Sequence, residues 1–214
     1  MSTEPIRILL ADDHAVVRSG LRRLLEQNAE MQVIAEAGSG EQAYQLFSEL
    51  KPDVVVMDLS MPGMGGLEAI RRILVRSPLA RVVVFSMHEN AAFAFQALNI
   101  GARAYVAKSG MAEDLVIAVR NAAAGSTYIS PAVAQKMAMQ TVSGDDALSK
   151  KLSAREFEVF RLIAEGKSAE DIGNLLNISQ KTVANYQTMI RQKLGVNSPV
   201  ELVRLAIRHG LIES

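Results

Sequence analysis

Residues 53–73 read DVVVMDLSMPGMGGLEAIRRI, and this stretch decides the fold of the N-terminal half. The run Val54–Met57 is apolar at every position and rich in β-branched residues, as expected of a strand buried on both faces of a parallel sheet. It ends at Asp58, and after a turn that contains glycines and a proline, the apolar residues take up helical spacing over residues 66–76. A buried strand that leads through a short loop into an amphipathic helix is the repeating unit of an α/β fold.

The same unit recurs on both sides of this stretch. Apolar runs at 6–11, 32–35, 81–86 and 104–107 predict four more strands, and helical patterns lie near 14–27, 40–50, 90–100 and 112–124. Because parallel strands need right-handed crossovers, the pattern predicts a flavodoxin-like, five-stranded parallel sheet in the order 2-1-3-4-5.

After Gly125 the strand signals stop and the remaining pattern is helical. Ser130-Pro131 predicts a helix start inside a linker over residues 126–147, and the linker also contains a polar break at 143–146. Beyond it, capping serines at 153, 168, 179 and 198 predict four helices, two of them joined by a short turn at 177–179. This layout predicts a four-helix, helix-turn-helix domain over 148–214, preceded by an α/β domain over 1–125.

Composition limits the classes of function. The chain of 214 residues has no cysteine, which excludes disulfides and thiolate metal sites and fits a cytoplasmic protein. No apolar run is long enough to cross a membrane, so we expect no membrane partner. Net charge is zero overall, but residues 1–125 carry 12 Lys/Arg against 14 Asp/Glu (−2), whereas residues 148–214 carry 10 against 7 (+3). A mildly basic C-terminal domain is compatible with nucleic-acid binding.

Polar side chains follow four of the predicted strands where each strand ends. Open parallel sheets bind ligands at this carboxyl edge. The residues are Asp12, Asp13, Asp58, Ser86 and Lys108. Carboxylates at such an edge can hold Mg²⁺, a lysine and a hydroxyl can bind phosphoryl oxygens, and an aspartate can become an aspartyl phosphate.

Three segments strengthen this interpretation by resemblance. LLADDHAVVRSGLRRLL (9–25), the stretch at 53–73 and GARAYVAKS (101–109) resemble the receiver domain of response regulators, and residues 152–196 resemble the LuxR-type helix-turn-helix. Together they are similar to the NarL/FixJ class, and the segments at 128–138, 181–186 and 200–211 are similar to its GacA/UvrY subfamily. The resemblance implies a two-component transcription regulator, not an enzyme, with a sensor histidine kinase as its partner.

The resemblance also implies roles for individual residues. Asp58 would be the phosphoacceptor; Mg²⁺ would be held by Asp13, Asp58 and the Ser60 carbonyl, with Asp12 acting partly through water. Ser86, Tyr105 and Lys108 match the switch and phosphate-binding positions. His88, two residues after Ser86, either flanks this crevice or is a plain loop residue.

The helix predicted at 180–194 stands second in the helix-turn-helix, which is the recognition position. Lys181 and Thr182 suit DNA phosphates, whereas Asn185 can reach base edges in the major groove. We expect duplex DNA to be contacted by Gln180, Lys181, Thr182, Val183, Asn185, Tyr186 and Lys193, and an active homodimer to use Val200, Val203 and Ile207.

Two other classes of function stay open from the sequence. A hydrolase could use an aspartyl-phosphate intermediate, although the phosphatases that do so place a second aspartate where this chain has Ser60. The C-terminal helices could instead bind protein or a small molecule. If the chain is a regulator, we expect the resting receiver to cover part of the 180–194 helix.

Overall fold

A computed structural model of the chain describes residues 4–142 and 151–212. Six parallel strands form one sheet in the order β2-β1-β3-β4-β5-β6. The strands are β1 (Ile6–Ala11), β2 (Met31–Ala37), β3 (Val54–Met57), β4 (Val82–Ser86), β5 (Ala104–Ala107) and β6 (Tyr128–Ile129). The flavodoxin-like α/β prediction and the order of its five strands are confirmed.

Ten helices accompany the sheet within the described residues. Those of the N-terminal half are α1 (Ala15–Glu26), α2 (Gly40–Leu50), α3 (Gly66–Arg76), α4 (Ala91–Ile100), α5 (Ala112–Ala123) and α6 (Pro131–Val142). Those of the C-terminal half are α7 (Ala154–Ala164), α8 (Ala169–Leu176), α9 (Gln180–Leu194) and α10 (Pro199–Arg208). The four predicted C-terminal helices are therefore all present.

The two faces of the sheet bury different residues because side chains alternate along each strand. Ile8 and Val83 face the core beneath α1 and α5, whereas Leu9 and Val84 face the core beneath α2, α3 and α4. The second core continues without a break into the C-terminal helices, where it includes Phe157. The helix-turn-helix domain therefore packs on one particular face of the α/β domain.

The sixth strand is a correction to the five-stranded prediction. Tyr128 and Ile129 pair in parallel with Ala104 and Tyr105, at the edge of the sheet beyond β5. Two residues carry too little alternation to be detected as a strand, and backbone pairing to an existing edge is what creates it. The helix predicted after Ser130 follows as α6 and packs on α4 and β5; the polar break at 143–146 lies outside the described residues.

Side-chain caps fix where the C-terminal helices begin. Ser153 and Ser168 form capping boxes with Glu156 and Asp171. At the start of α10 the predicted capping residue Ser198 accepts from the N–H of Glu201, but no full capping box forms, because the Glu201 carboxylate accepts from the N–H of Asn197. The carboxylate thus satisfies a donor one residue further out. Among the described residues, no helix has both the length and the apolar character needed to span a membrane.

Candidate functional site

The carboxyl edge of the sheet gathers the predicted charged residues into one crevice. Lys108, which follows β5, donates from Nζ to Asp12 Oδ2 at 2.5 Å and to Asp58 Oδ2 at 2.7 Å. Asp12 and Asp58 are almost fully buried, at 2% and 3% exposure. Residues separated by up to 96 positions in sequence therefore form one ionic cluster, as expected when several parallel strands end at the same edge.

The same crevice has a donor set for a hard cation. Oxygen atoms of Asp12, Asp13 and Asp58 and a ring nitrogen of His14 lie within 4.8 Å of one another. Asp13 Oδ1 is buried and makes no hydrogen bond, although His14 Nδ1 lies 2.9 Å away. A buried carboxylate oxygen without a hydrogen bond is costly unless a cation completes its environment. The acidic pocket can therefore bind a metal, and three carboxylates are the ligand type that Mg²⁺ prefers.

Burial and pairing act against each other on the charges of the crevice. Burial raises the pKa of Asp58, and the hydrogen bond from Lys108 opposes that rise. Burial would lower the pKa of Lys108, but its hydrogen bonds to Asp12 and Asp58 outweigh burial and raise it. Lys108 thus remains a cation beside the carboxylate predicted to be the nucleophile.

Ser86 and Tyr105, the predicted switch residues, are both fully buried next to this crevice. Ser86 Oγ accepts a hydrogen bond from the backbone N–H of His88 at 3.2 Å, and the Tyr105 hydroxyl donates to the His88 carbonyl at 2.6 Å. The His88 ring hydrogen-bonds Ser60 Oγ, with Nε2 3.0 Å away. Its pKa is lowered to about 4 by burial and by the nearby Arg161 and Lys108 charges. Of the two sequence interpretations of His88, the structure supports the one that flanks the crevice.

Gly66 lets the helix after Asp58 start directly beneath the end of β3. A Cβ on Gly66 would lie 2.0 Å from the Asp58 carbonyl oxygen and 2.6 Å from Leu59 Cα. Both obstacles are backbone atoms, so no side-chain movement would relieve the clash. Only glycine fits here, and the sequence GMGG serves this close approach.

The predicted recognition helix α9 presents a polar surface. Gln180, Lys181 and Asn185 are exposed, while Val183 is fully buried in the helical core. Thr182 is half-buried, and its hydroxyl pairs with that of the capping residue Ser179, 2.8 Å away.

Two further residues predicted to contact DNA, Lys193 and Tyr186, lie beside other charged side chains of this chain. Lys193 donates to Glu156 Oε2 at 2.7 Å across the helical domain. Tyr186 is half-buried and lines a cavity of about 530 Å³ together with Arg71 and Arg72 of α3. The N-terminal domain thus reaches α9 near Tyr186 and leaves the residues at the N-terminal end of α9 open.

The residues predicted for dimerisation lie on one helix, α10. Val200 and Ile207 are exposed at 59% and 38%, and Val203 is half-buried. Two other apolar residues of this helix, Leu202 and Ala206, are fully buried. The helix therefore both closes the helical core and leaves apolar side chains at the surface.

The two domains meet through α7, a contact that the sequence did not indicate. Arg155 Nη1 donates to the carbonyls of Gly63 and Met64 at 3.3 Å, and the N–H of Gly63 donates to the Leu175 carbonyl at 2.8 Å. Glu158 packs directly on Gly65, whose backbone has a φ of 72°. The loop that follows Asp58 is thus held by the helical domain.

Glu158 is a buried carboxylate in this contact. Burial raises its pKa to about 7, while Arg155, which donates to its Oε2 at 2.9 Å, acts to lower that pKa. A cavity of about 280 Å³ lies next to it, lined on the receiver side by Ser60 and His88 and on the helical side by Arg161. The domain contact therefore reaches the rim of the acidic crevice.

Comparisons with known proteins agree with this geometry. Residues 8–120 match the family model described as response regulator receiver domain, and residues 150–206 match bacterial regulatory proteins, luxR family. The chain is 40% identical over 211 residues to the response regulator GacA of Pseudomonas aeruginosa, covering 98% of this chain and 99% of that protein. It is 37% identical over 208 residues to the response regulator UvrY of Escherichia coli K12, covering 96% and 95%.

A solved structure matches nearly the whole chain. RcsB from Salmonella enterica serovar Typhimurium, bound to the promoter P1flhDC in the presence of the phosphomimetic BeF3⁻, is 29% identical. The match covers 94% of this chain and 98% of that one, with a TM-score of 0.71. The receiver and LuxR-type matches, together with GacA and UvrY as relatives, confirm the predicted class and subfamily.

Proposed function

Because this chain belongs to the two-component response regulators that join a receiver to a LuxR-type DNA-binding domain, we propose that Asp58 is its phosphoacceptor. A sensor histidine kinase supplies the phosphoryl group, and phosphorylation controls how the chain binds promoter DNA. The observation that carries the proposal is Lys108 Nζ bridging Asp12 and Asp58 beside a third carboxylate, Asp13. The proposal divides the chain into a receiver (1–125), a linker (126–147) and a DNA-binding domain (148–214).

The crevice supports an in-line transfer to Asp58. A carboxylate oxygen of Asp58 forms the new O–P bond as the N–P bond of the kinase phosphohistidine breaks. The electron pair of the broken bond stays on that ring nitrogen, and the ring, which already carries a proton on its other nitrogen, leaves as neutral imidazole. Lys108 offsets negative charge on the phosphoryl oxygens, and the Ser86 hydroxyl donates to one of them. Mg²⁺, held by Asp13, Asp58 and the Ser60 carbonyl with Asp12 through water, would supply further charge neutralisation.

The rival interpretation, a hydrolase with an aspartyl-phosphate intermediate, lacks its second acid. Such an enzyme needs a proton donor two residues after the nucleophile. Here that residue is Ser60, and its hydroxyl is hydrogen-bonded to a His88 ring that stays neutral at pH 7. We therefore propose a phosphorylation-controlled regulator that acts in the cytoplasm, where its DNA is, and that forms a homodimer through Val200, Val203 and Ile207 when active.

The proposal predicts one stable phosphoryl group per chain and a change in DNA affinity. Incubation with acetyl phosphate and Mg²⁺ should label each chain once. On a duplex selected from random sequence, affinity should then rise by about 5- to 150-fold, the usual range of coupling between two sites. Intact-mass spectrometry and fluorescence anisotropy measure the two effects. Continuous release of inorganic phosphate over many turnovers would instead support the hydrolase.

The exposed residues of α9 should contribute to DNA binding in two ways, through phosphate contacts and through base contacts. Lys181→Ala should weaken binding to all sequences and reduce the salt slope by about one, as loss of a phosphate contact does. Asn185→Ala should cost about 1–3 kcal/mol at one base position and little elsewhere. Titrations at several salt concentrations against single-base variants of the selected site separate the two. Equal losses on every sequence from both variants would contradict this division.

A further inference from the structure

Both predicted switch residues hold the same residue, His88. Ser86 Oγ accepts from its backbone N–H at 3.2 Å, and the Tyr105 hydroxyl donates to its carbonyl at 2.6 Å. A third bond, between Ser60 Oγ and the His88 ring, ties it to the loop after Asp58. The position of His88 therefore depends on both predicted switch residues, Ser86 and Tyr105.

The ring of His88 is connected to the DNA-binding domain through one other aromatic ring, that of Phe93. It stacks on Phe93 at the start of α4, with ring centroids 3.9 Å apart and planes 2° from parallel. Phe93 in turn meets Phe157 of α7 edge-on, with centroids 5.0 Å apart and planes at 90°. Phe93 is 2% exposed and Phe157 is fully buried, so neither ring can move without changing the packing between the domains.

We propose that His88 and Phe93 are positioning residues that transmit the phosphorylation state of Asp58 to α7 through this aromatic bridge (His88, Phe93 and Phe157). The proposal rests on the proposed function of Asp58. The bridge adds to that function the contact through which the receiver regulates the DNA-binding domain.

The geometry gives the direction of the effect. When the Ser86 hydroxyl turns toward a phosphoryl oxygen, the N–H of His88 loses its acceptor. His88 then shifts to find another, and its ring leaves the face of Phe93. An aromatic pair contributes about two- to twelvefold to an equilibrium constant beyond its buried area, so losing the stack weakens the docking of α7. Undocking also uncovers Tyr186, a predicted DNA contact that is half-buried beside Arg71 and Arg72 of α3, so we expect the undocked DNA-binding domain to bind DNA more tightly.

The bridge is tested in the full chain with Phe93→Leu. Leucine keeps the position apolar but has no ring for His88 or Phe157 to contact. The measured quantity is the ratio of DNA affinities with and without acetyl phosphate and Mg²⁺. We expect this ratio to fall by about two- to twelvefold, because the unphosphorylated variant already binds more tightly, while labelling of Asp58 stays at one per chain.

Phe47→Leu is the matched control. Phe47 is also a buried aromatic of the receiver, but it lies on α2 beside Pro52 and Leu79, at the other end of the sheet. This variant loses comparable packing and should keep the wild-type ratio. A reduced ratio in both variants would mean that general loosening of the receiver is responsible, and the bridge would be rejected.

A second variant tests the bridge if Phe93→Leu is too unstable to interpret. If Phe93→Leu melts at a markedly lower temperature, His88→Asn is used, since it removes the stacked ring but keeps the backbone that Ser86 and Tyr105 hold. A wild-type affinity ratio in a folded variant of either residue would overturn the proposal. Failure of the wild-type chain to take up phosphate would instead count against Asp58 as phosphoacceptor, a distinct result.

Discussion

Asp58→Asn is expected to abolish covalent phosphorylation by acetyl phosphate in Mg²⁺ and to make DNA affinity independent of the phosphodonor. Asparagine fills the same space, but its amide is not a nucleophile toward phosphorus. The neighbouring Asp12 and Asp13 remain, so the variant tests whether another carboxylate of the crevice can accept the phosphoryl group. Intact-mass spectrometry measures the phosphoryl content of the chain, and a wild-type level of phosphate on the variant would refute the assignment.

The matched control is Asp53→Asn. Asp53 is an exposed aspartate that accepts a hydrogen bond from the Arg7 backbone at the opposite end of β3. The same chemical change there should leave labelling and the DNA response intact. Together the two variants separate loss of the acceptor from loss of one negative charge on the receiver.

The sequence was sufficient for the first five strands and for the crevice because both follow from local patterns. Each of these strands is a short apolar run, and Asp12, Asp58 and Lys108 each directly follow a strand. The rule that ligands bind at the carboxyl edge then brings Asp12, Asp58 and Lys108 together without knowledge of any long-range contact. The capping serines fixed the starts of the C-terminal helices in the same way, since a cap acts within three residues.

Contacts between the domains could not be predicted, because they depend on pairs that no local pattern records. Glu158 looks like an ordinary charged residue of an amphipathic helix, yet its carboxylate is buried against Gly65, 93 positions earlier. Phe93 and Phe157 each read as core residues of their own domain, and only the docking of α7 makes them neighbours. β6 shows the same limit, since two residues become a strand only by pairing with β5.

The docking of the DNA-binding domain also predicts a large effect of removing Arg155. This side chain donates to the carbonyls of Gly63 and Met64 on the receiver and pairs with Glu158 on its own helix. Arg155→Met keeps the length of the side chain but leaves the Glu158 carboxylate buried without its partner. Breaking a buried ion pair costs about 3–5 kcal/mol.

Undocking lets that carboxylate reach water, so the variant should favour the open arrangement. Glu158 can relieve part of the cost by protonation, but the hydrogen bonds from Arg155 to the Gly63 and Met64 carbonyls are lost as well. We therefore expect docking to weaken by about 2–3 kcal/mol. This corresponds to roughly 30- to 150-fold in the docking equilibrium. The radius of gyration from small-angle scattering should rise, and the unphosphorylated variant should bind DNA more tightly. Arg22→Met, which breaks the half-buried pair between Arg22 of α1 and Glu36 of β2, far from α7, should change neither.

The pH dependence of this variant distinguishes undocking from simple damage to α7. In the docked wild-type chain the pKa of Glu158 is raised from 4.5 to about 7, chiefly by burial, with Glu68 raising it and Arg155 and Arg161 lowering it. The docked state therefore binds an extra proton, and docking loses stability as pH rises from about 4.5 through 7. Without Arg155 the pKa rises further, so lowering the pH from 8 to 6 should return the variant toward the compact, weakly binding form. An expanded variant whose dimensions and DNA affinity do not change between pH 6 and 8 would show that the loss of Arg155 acts through something other than the buried Glu158 charge.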